Sequence, residues 1–379
     1  TMSTLKVDNI RHNSATSDAI TMASDGTCTA KLTSVGGAPL SHRNKARNGE
    51  MKISQRATTF SPTTSDTYLI DGWMTQHGSS GNLDCTVTQS TDAPAGFTKS
   101  LKITPDSTVT PSGSQNGMLA QRLEGQDFQD LAFGTSDAKP ITVSWYAKTS
   151  ATGAGNYTVK VEYHTGSANY AVNKLFAFTT TWTRYTYTIP ATGTATSVGI
   201  VDSNALGFRV EYHLFAGPDD FHSQFTQWTS NPSPTYKVIS GQKNFMDNTN
   251  NELYITGLQI EVGDTATSFE HISHGEDLRR CQRYFQKIDY YCQTGNSGHR
   301  HMYGENIPFK CEMRAAPSLV DNSNYNSDTG SLQIISAGDY STYTDGCSLQ
   351  YASTSQVTVQ GGNGSQYHRI RGRVHLSAE

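Results

Sequence analysis

The feature that most constrains this chain is a strict alternation of apolar and polar residues. In Tyr157-Thr158-Val159-Lys160-Val161-Glu162-Tyr163 the apolar side chains fall on one side of an extended backbone. Lys160 and Glu162 fall on the other side and are expected to face solvent. Leu101-Lys102-Ile103 and Ile141-Thr142-Val143-Ser144-Trp145-Tyr146-Ala147 read the same way. Leu175–Phe178, Trp182–Ile189, Val198–Val201, Phe208–Leu214 and Leu253–Val262 continue the series, separated by Gly, Asn, Pro and Thr clusters. Short two-faced strands at this spacing predict an antiparallel two-sheet sandwich over 46–272. Pro218–Ser240, with Phe221, Phe225 and Trp228, reads as a long insertion between the last strands.

Composition agrees. Of 379 residues, 33 are Gly and 19 are Tyr, while hydrophobic residues are 35% and charged residues 16%. Helices favour Ala, Leu, Glu and Lys, so this balance points to strands and turns. No apolar run approaches the length of a membrane-spanning helix, and the mean hydropathy is -0.53. With 10% aromatic residues and a formal charge of -4, the chain matches neither a disordered segment nor a nucleic-acid binder.

Three further segments flank the sandwich. Residues 1–45 carry few large apolar side chains, with Leu5, Val7 and Ala19–Met22 as short strand-like pieces. They read either as a disordered leader or as an attachment and oligomerisation stem that packs only against copies of itself. His274–Phe285 has acids early and bases late, as a helix dipole prefers, with Leu278, Cys281 and Phe285 on one stripe. It predicts a short bracket helix over 273–286. Residues 287–379 return to strand patterns at Ile307–Met313, Leu332–Ile335, Gln356–Val359 and His368–His375, predicting a smaller C-terminal β-sandwich. Asn322–Gly330 and Gly361–Gly364 read as loops.

Four ordered motifs together resemble those of bacteriophage tail-fibre and receptor-binding proteins. The first is Met2–Ile10 with Ala19–Met22, similar to an attachment leader. The second is Arg47-Asn48-Gly49-Glu50-Met51-Lys52-Ile53-Ser54-Gln55-Arg56 followed by Asp71-Gly72-Trp73, where Gly72 stands in place of the family's usual basic residue. The third is Leu258-Gln259-Ile260-Glu261-Val262-Gly263 with Ala266-Thr267-Ser268-Phe269-Glu270, and the fourth is Leu278–Phe285. The resemblance implies an all-β virion appendage made in the host cytoplasm. It would have an N-terminal stem, a carbohydrate-binding-module-like jelly roll, a bracket helix and a distal domain. It further implies a homotrimer, a tail or head protein held through 1–45, and a host surface glycan or protein as receptor. Phe309–Pro317 is similar to the distal domain of such proteins.

Trp145, Trp182, Tyr185 and Tyr187 lie on regular strands and read first as packing residues. Tyr290, Tyr291, His299, His301 and Tyr303 cluster on an expected distal loop and are the first candidates for receptor contact. Phe225 and Trp228 are candidates for loop or subunit contact. Asp219-Asp220 with His222, and Glu211-Tyr212-His213, supply acids and imidazoles without a catalytic spacing. His299-Arg300-His301 lacks a nearby third ligand, so no metal is expected. No phosphate loop, nucleophile elbow or dinucleotide fingerprint occurs, and no cofactor is expected. The six cysteines form no C-x-x-C pair and read mainly as free thiols; Cys281, Cys292, Cys311 and Cys347 leave room for one bridge. The N-terminus has no basic segment followed by an apolar run. Non-catalytic adsorption is the leading expectation. The alternatives are a capsule-degrading tailspike-type hydrolase, a virion decoration protein without a receptor, and a cellular carbohydrate-binding module.

Overall fold

A computed structural model describes residues 7–11, 13, 20–22, 24–25, 28–30, 41–62, 66–78, 83–192, 194–230, 238–293, 305–325, 333–335, 347–350, 356–361 and 369–379. The protein is all-β, with one α-helix among the described residues. Its centre is a jelly-roll sandwich of two antiparallel sheets. The seven-stranded sheet runs Thr229–Ser230, Asn169–Phe178, Gly155–His164, Leu206–Ala216, Asn116–Glu124, Met74–Gly78, Asp66–Tyr68. The six-stranded sheet runs Thr183–Ile189, Ile141–Thr149, Leu253–Val262, Ser100–Pro105, Cys85–Ser90, Thr59–Phe60.

Alternation places the core where the sequence puts it. Tyr157, Val159, Val161 and Tyr163 point between the sheets, with Tyr212, Val210 and Phe208 of the neighbouring strand beside them. Trp145 projects from the opposite sheet and meets Tyr212 edge-on at 5.5 Å and Phe176 at 4.9 Å. Such offset ring pairs add to the burial of large apolar area. Trp145 and Tyr187 are therefore packing residues, and Tyr185 stacks on Trp145 while its hydroxyl donates to the Ala177 carbonyl at 2.8 Å. Trp182 stays partly exposed, donating from Nε1 to Asp92 Oδ1 at 2.9 Å.

Several expectations are corrected. Val198–Val201 is not a strand; it runs as a connection, held to the Gly155–His164 hairpin by a Val201 N–H to His164 carbonyl bond of 2.9 Å. The expected strand over Ile307–Met313 is Glu305–Pro308, ending at a proline that has no N–H to extend the ladder. Asn322 to Tyr325, expected in a loop, belong to the strand Ser318–Tyr325, where pairing with Arg369–Ser377 overrides a weak local strand preference. Tyr290 and Tyr291 also lie on a strand, Phe285–Gln293, opposite Gly372 and Arg371.

The short N-terminal strands Asn9–Ile10, Ile20–Met22 and Cys28–Ala30 form a small antiparallel sheet. Its register sets Ile10 opposite Ile20, and Met22 follows two residues on, on the same face. Ile10 and Met22 are the exposed large hydrophobic residues among those described. Asn44 Nδ2 donates to the Leu258 carbonyl at 3.0 Å and Lys45 N–H to the Ile260 carbonyl at 2.9 Å, tying this segment to the sandwich. The helix spans His274–Gln282, capped by Ser273, whose Oγ accepts from the Glu276 N–H. The C-terminal part forms a three-stranded sheet (Phe285–Gln293, Arg369–Ser377, Ser318–Tyr325) and a four-stranded one (Glu305–Pro308, Gln356–Gly361, Cys347–Gln350, Gln333–Ile335).

Candidate functional site: a charged groove on the seven-stranded sheet

The side of the seven-stranded sheet that turns away from the core is not the solvated face the sequence suggests. Cross-strand register aligns Lys160 with Glu211 and Glu162 with Arg209, so four charges from two adjacent strands meet on that face. Lys160 is 2% exposed, Glu162 0% and Glu211 1%. Arg209 donates from Nε and Nη2 to Glu162 Oε2 at 3.1 and 2.5 Å, and its Nη2 lies 2.5 Å from Glu211 Oε1. Lys160 Nζ contacts Glu162 and lies 3.8 Å from Glu211 Oε2. His213 Nε2 reaches Glu211 Oε2 at 3.0 Å, and His164 Nε2 stands 3.5 Å from Glu162.

Burial alone would push both carboxyls up, since it disfavours the charged form. The adjacent Lys160 and Arg209 outweigh it, holding Glu162 well below the usual carboxylate range and Glu211 at about 2. The four charges balance one another. They form the floor of an open groove of about 270 Å³. Its walls add Gln76, His77, Asn116, Met118 and Asn169. Gln76 accepts from Arg209 Nη1 at 3.3 Å and donates to Asp66 at 2.9 Å, tying the wall to the floor. Two buried atoms at the rim, His77 Nε2 and Asn116 Oδ1, have no hydrogen-bond partner among the described residues.

The far end of the same face is covered by residues 218–230 and 238–242, the described part of the expected insertion and the two residues after it. Asn116 Nδ2 donates to the buried Asp220 at 2.8 Å, which pins the start of the insertion. Ile239 N–H donates to Thr158 Oγ1 at 3.1 Å, and Gln242 Nε2 to the His213 carbonyl at 2.8 Å, which pin its end. Between them, Trp228 sinks into the core against Phe133 and Tyr163, so simple packing accounts for it. Phe225 remains half-buried beside the face. Of the other candidates, Tyr290 and Tyr291 lie on the strand described above, and His299, His301 and Tyr303 lie outside the described residues. Glu211, His213 and Asp220 join the polar face while Tyr212 points into the core, and no catalytic spacing in sequence marks them. Among the described residues no group of three His, Cys, Asp or Glu could hold a metal ion, and Cys85, Cys281 and Cys311 are free thiols.

Residues of the second, third and fourth sequence motifs converge elsewhere, on the seam between sandwich, helix and C-terminal part. Asn48, at φ 46°, donates from Nδ2 to the Ile53 and Asp71 carbonyls, both at 2.8 Å, and its N–H donates to Asp277 at 3.0 Å. A Cβ on Gly49 would sit 2.3 Å from the Leu258 carbonyl, so only glycine fits there. Gln55 donates to Asp71 at 2.7 Å and to the Phe285 carbonyl at 2.9 Å. Glu124 receives Arg283 at 2.8 and 2.9 Å together with the Tyr284 hydroxyl. Arg47 lies 3.3 Å from the Tyr284 ring centroid. Gln259 and Glu261 bind the exit segment through Glu270 N–H, Thr267 and Ser268. Gly72 adopts φ +80°, a conformation a basic side chain would hold only under strain.

The architecture is thus a jelly-roll sandwich with a polar groove on one sheet. No protein-family model matches the chain, and no curated protein matches it. Among solved structures it is similar to the enzymatically active domain of tailspike protein 4 of bacteriophage CBA120, at 9% identity and TM-score 0.31. That match covers 58% of this chain and 21% of that one. It is also similar to the CBM22-1 xylan-binding domain of Paenibacillus barcinonensis Xyn10C, at 12% identity and TM-score 0.26, over 57% of this chain and 99% of that one. The family 11 carbohydrate-binding module of Clostridium thermocellum, solved with a mixed-linked tetrasaccharide, matches at 7% identity and TM-score 0.28, over 57% and 100%. All are remote, and the fold stated here rests on this chain's own sheets.

Proposed function

We propose that this protein is the receptor-binding component of a bacteriophage tail fibre, and that its groove takes up a host surface glycan without cleaving it. The observation that carries this reading is the groove floor. Fixed carboxylates and N–H donors alternate there within a few ångströms, and a sugar hydroxyl both donates and accepts. Charge balance suits a polyhydroxyl ligand better than a strongly ionic one. Holding both Glu162 and Glu211 ionised supports binding over hydrolysis, because glycoside hydrolysis needs one carboxyl protonated as the acid.

The virion role is supported by the four motifs in their order. A homotrimer, with 1–45 as the stem seated on another tail or head protein, suits the exposed apolar face of the N-terminal sheet. Parallel copies multiply weak glycan contacts through effective concentration.

The test uses labelled full-length protein on an array of bacterial lipopolysaccharides and capsular polysaccharides, with and without periodate treatment. Binding is expected to fall on periodate oxidation of sugar diols and in Gln76→Ala, with no reducing ends released. Unchanged binding after both perturbations overturns the glycan reading, and release of reducing ends overturns the non-catalytic part.

A further inference from the structure

Among the described residues, those lining the groove include no phenylalanine, tyrosine or tryptophan. A pyranose ring presents hydroxyls around its edge and C–H bonds on its faces, so the charged floor answers only half of its chemistry. The missing half stands next door. His222 and Phe225 stack with ring centroids 4.5 Å apart and planes 24° from parallel, and both are half-buried. We propose that this stacked pair is the apolar wall of the site, on which a sugar ring rests its C–H face while its hydroxyls meet the floor. The inference rests on the glycan-binding reading.

Position and rigidity support it. Phe225 N–H donates to Asn173 Oδ1 at 2.8 Å, and the Asn173 N–H donates to the Phe225 carbonyl at 3.3 Å. His222 Nε2 lies 3.2 Å from Asn173 Nδ2. Asn173 is the cross-strand neighbour of Lys160, which lines the groove. Beyond Phe225 the chain is held by Trp228 in the core and by Thr229 and Ser230 pairing with Ala171 and Tyr170. The wall is therefore fixed before a ligand arrives, which removes an ordering cost from binding. Burial lowers the His222 pKa against the bond to the Ser223 carbonyl, and nearby Lys160 and His213 lower it further.

The same polysaccharide array tests the proposal with full-length Phe225→Ala, Phe225→Trp and Gln76→Ala proteins. Phe225→Ala is expected to weaken binding about tenfold, Phe225→Trp to restore it, and the melting temperature of both to stay near that of the parent. A residue with a merely structural role would shift the melt and would not be rescued by the larger ring. If Phe225→Ala binds normally while Gln76→Ala is weak, the wall is wrong and the groove stands. If neither variant weakens binding, or the parent binds no polysaccharide on the array, both readings fall.

Discussion

The groove floor and the seam beneath the sandwich are both buried, charged and densely hydrogen-bonded, yet they are assembled differently. At the seam, short runs of consecutive residues, such as Arg47 to Arg56 and Leu278 to Phe285, bind one another. At the floor, single residues from separate strands converge, Lys160 and Glu162 on one and Arg209 and Glu211 on the next, and the cluster opens to a groove. The contrast teaches that a run of recognisable residues in this chain marks how its parts are bolted together. The surface free to bind is written in single letters spread along the sequence.

The sharpest way to break the comparison is Glu162→Gln. Removing that charge leaves Lys160 and Arg209 buried with one carboxylate between them. A loss of about 3–5 kcal/mol is expected in denaturant unfolding, as for other broken buried pairs. A loss below about 1 kcal/mol would mean that the floor is solvated and is no counterpart of the seam.

Asn48→Ala should cost less, about 1–3 kcal/mol, because it forfeits bonds to Ile53 and Asp71 at a left-handed position. It should loosen the C-terminal part, seen as faster proteolysis after residue 282, while polysaccharide binding persists. Loss of binding with stability intact would move the site to the seam.

The smallest effect is a slope. Glu162 and Glu211 have depressed folded pKa values, so their contribution is present above the ordinary carboxylate pKa and lost as pH falls toward about 2. Glu379, buried at the seam beside Arg56, is pushed the other way by burial, to about 7 despite Arg56 and Arg47. Its contribution is full below pH 4.5 and is lost as pH rises through about 7. Glu379→Gln should flatten only this upper arm, by at most about 1.4 kcal/mol per pH unit, in melts recorded from pH 4.5 to 7. An unchanged upper arm would show that the seam does not titrate there.

Much of the fold was legible because alternation is local. The strand over Leu253–Val262 could be read to the residue, and Tyr157–Tyr163 and Ile141–Ala147 differed only by extension at their ends. The helix was legible from its charge order. Ser318–Tyr325 was not, since Asp, Asn and Ser in a strand report a partner's register and no preference of their own. The site was legible only in fragments. Alternation assigned Lys160 and Glu162 to the outward side, and Glu211 with His213 stood out as an acid beside an imidazole. That they share one face depends on pairing between strands some fifty residues apart in sequence. That the far end of this face is covered depends on residues 218–230 and 238–242 folding across it.

One feature of the seam reaches beyond it. Phe285 opens the C-terminal part and pairs with Ser377 near its other end, so the polypeptide enters and leaves that part at a single doorway. The ties across the doorway include Arg56 to Glu379, Asn204 to Arg314, Gln55 to the Phe285 carbonyl and the Glu124 clamp. A unit hung in this way can vary in its interior as long as the residues at the doorway are kept. The groove lies on the jelly roll, on strands that the doorway does not include, so a change confined to the C-terminal part leaves its floor in place.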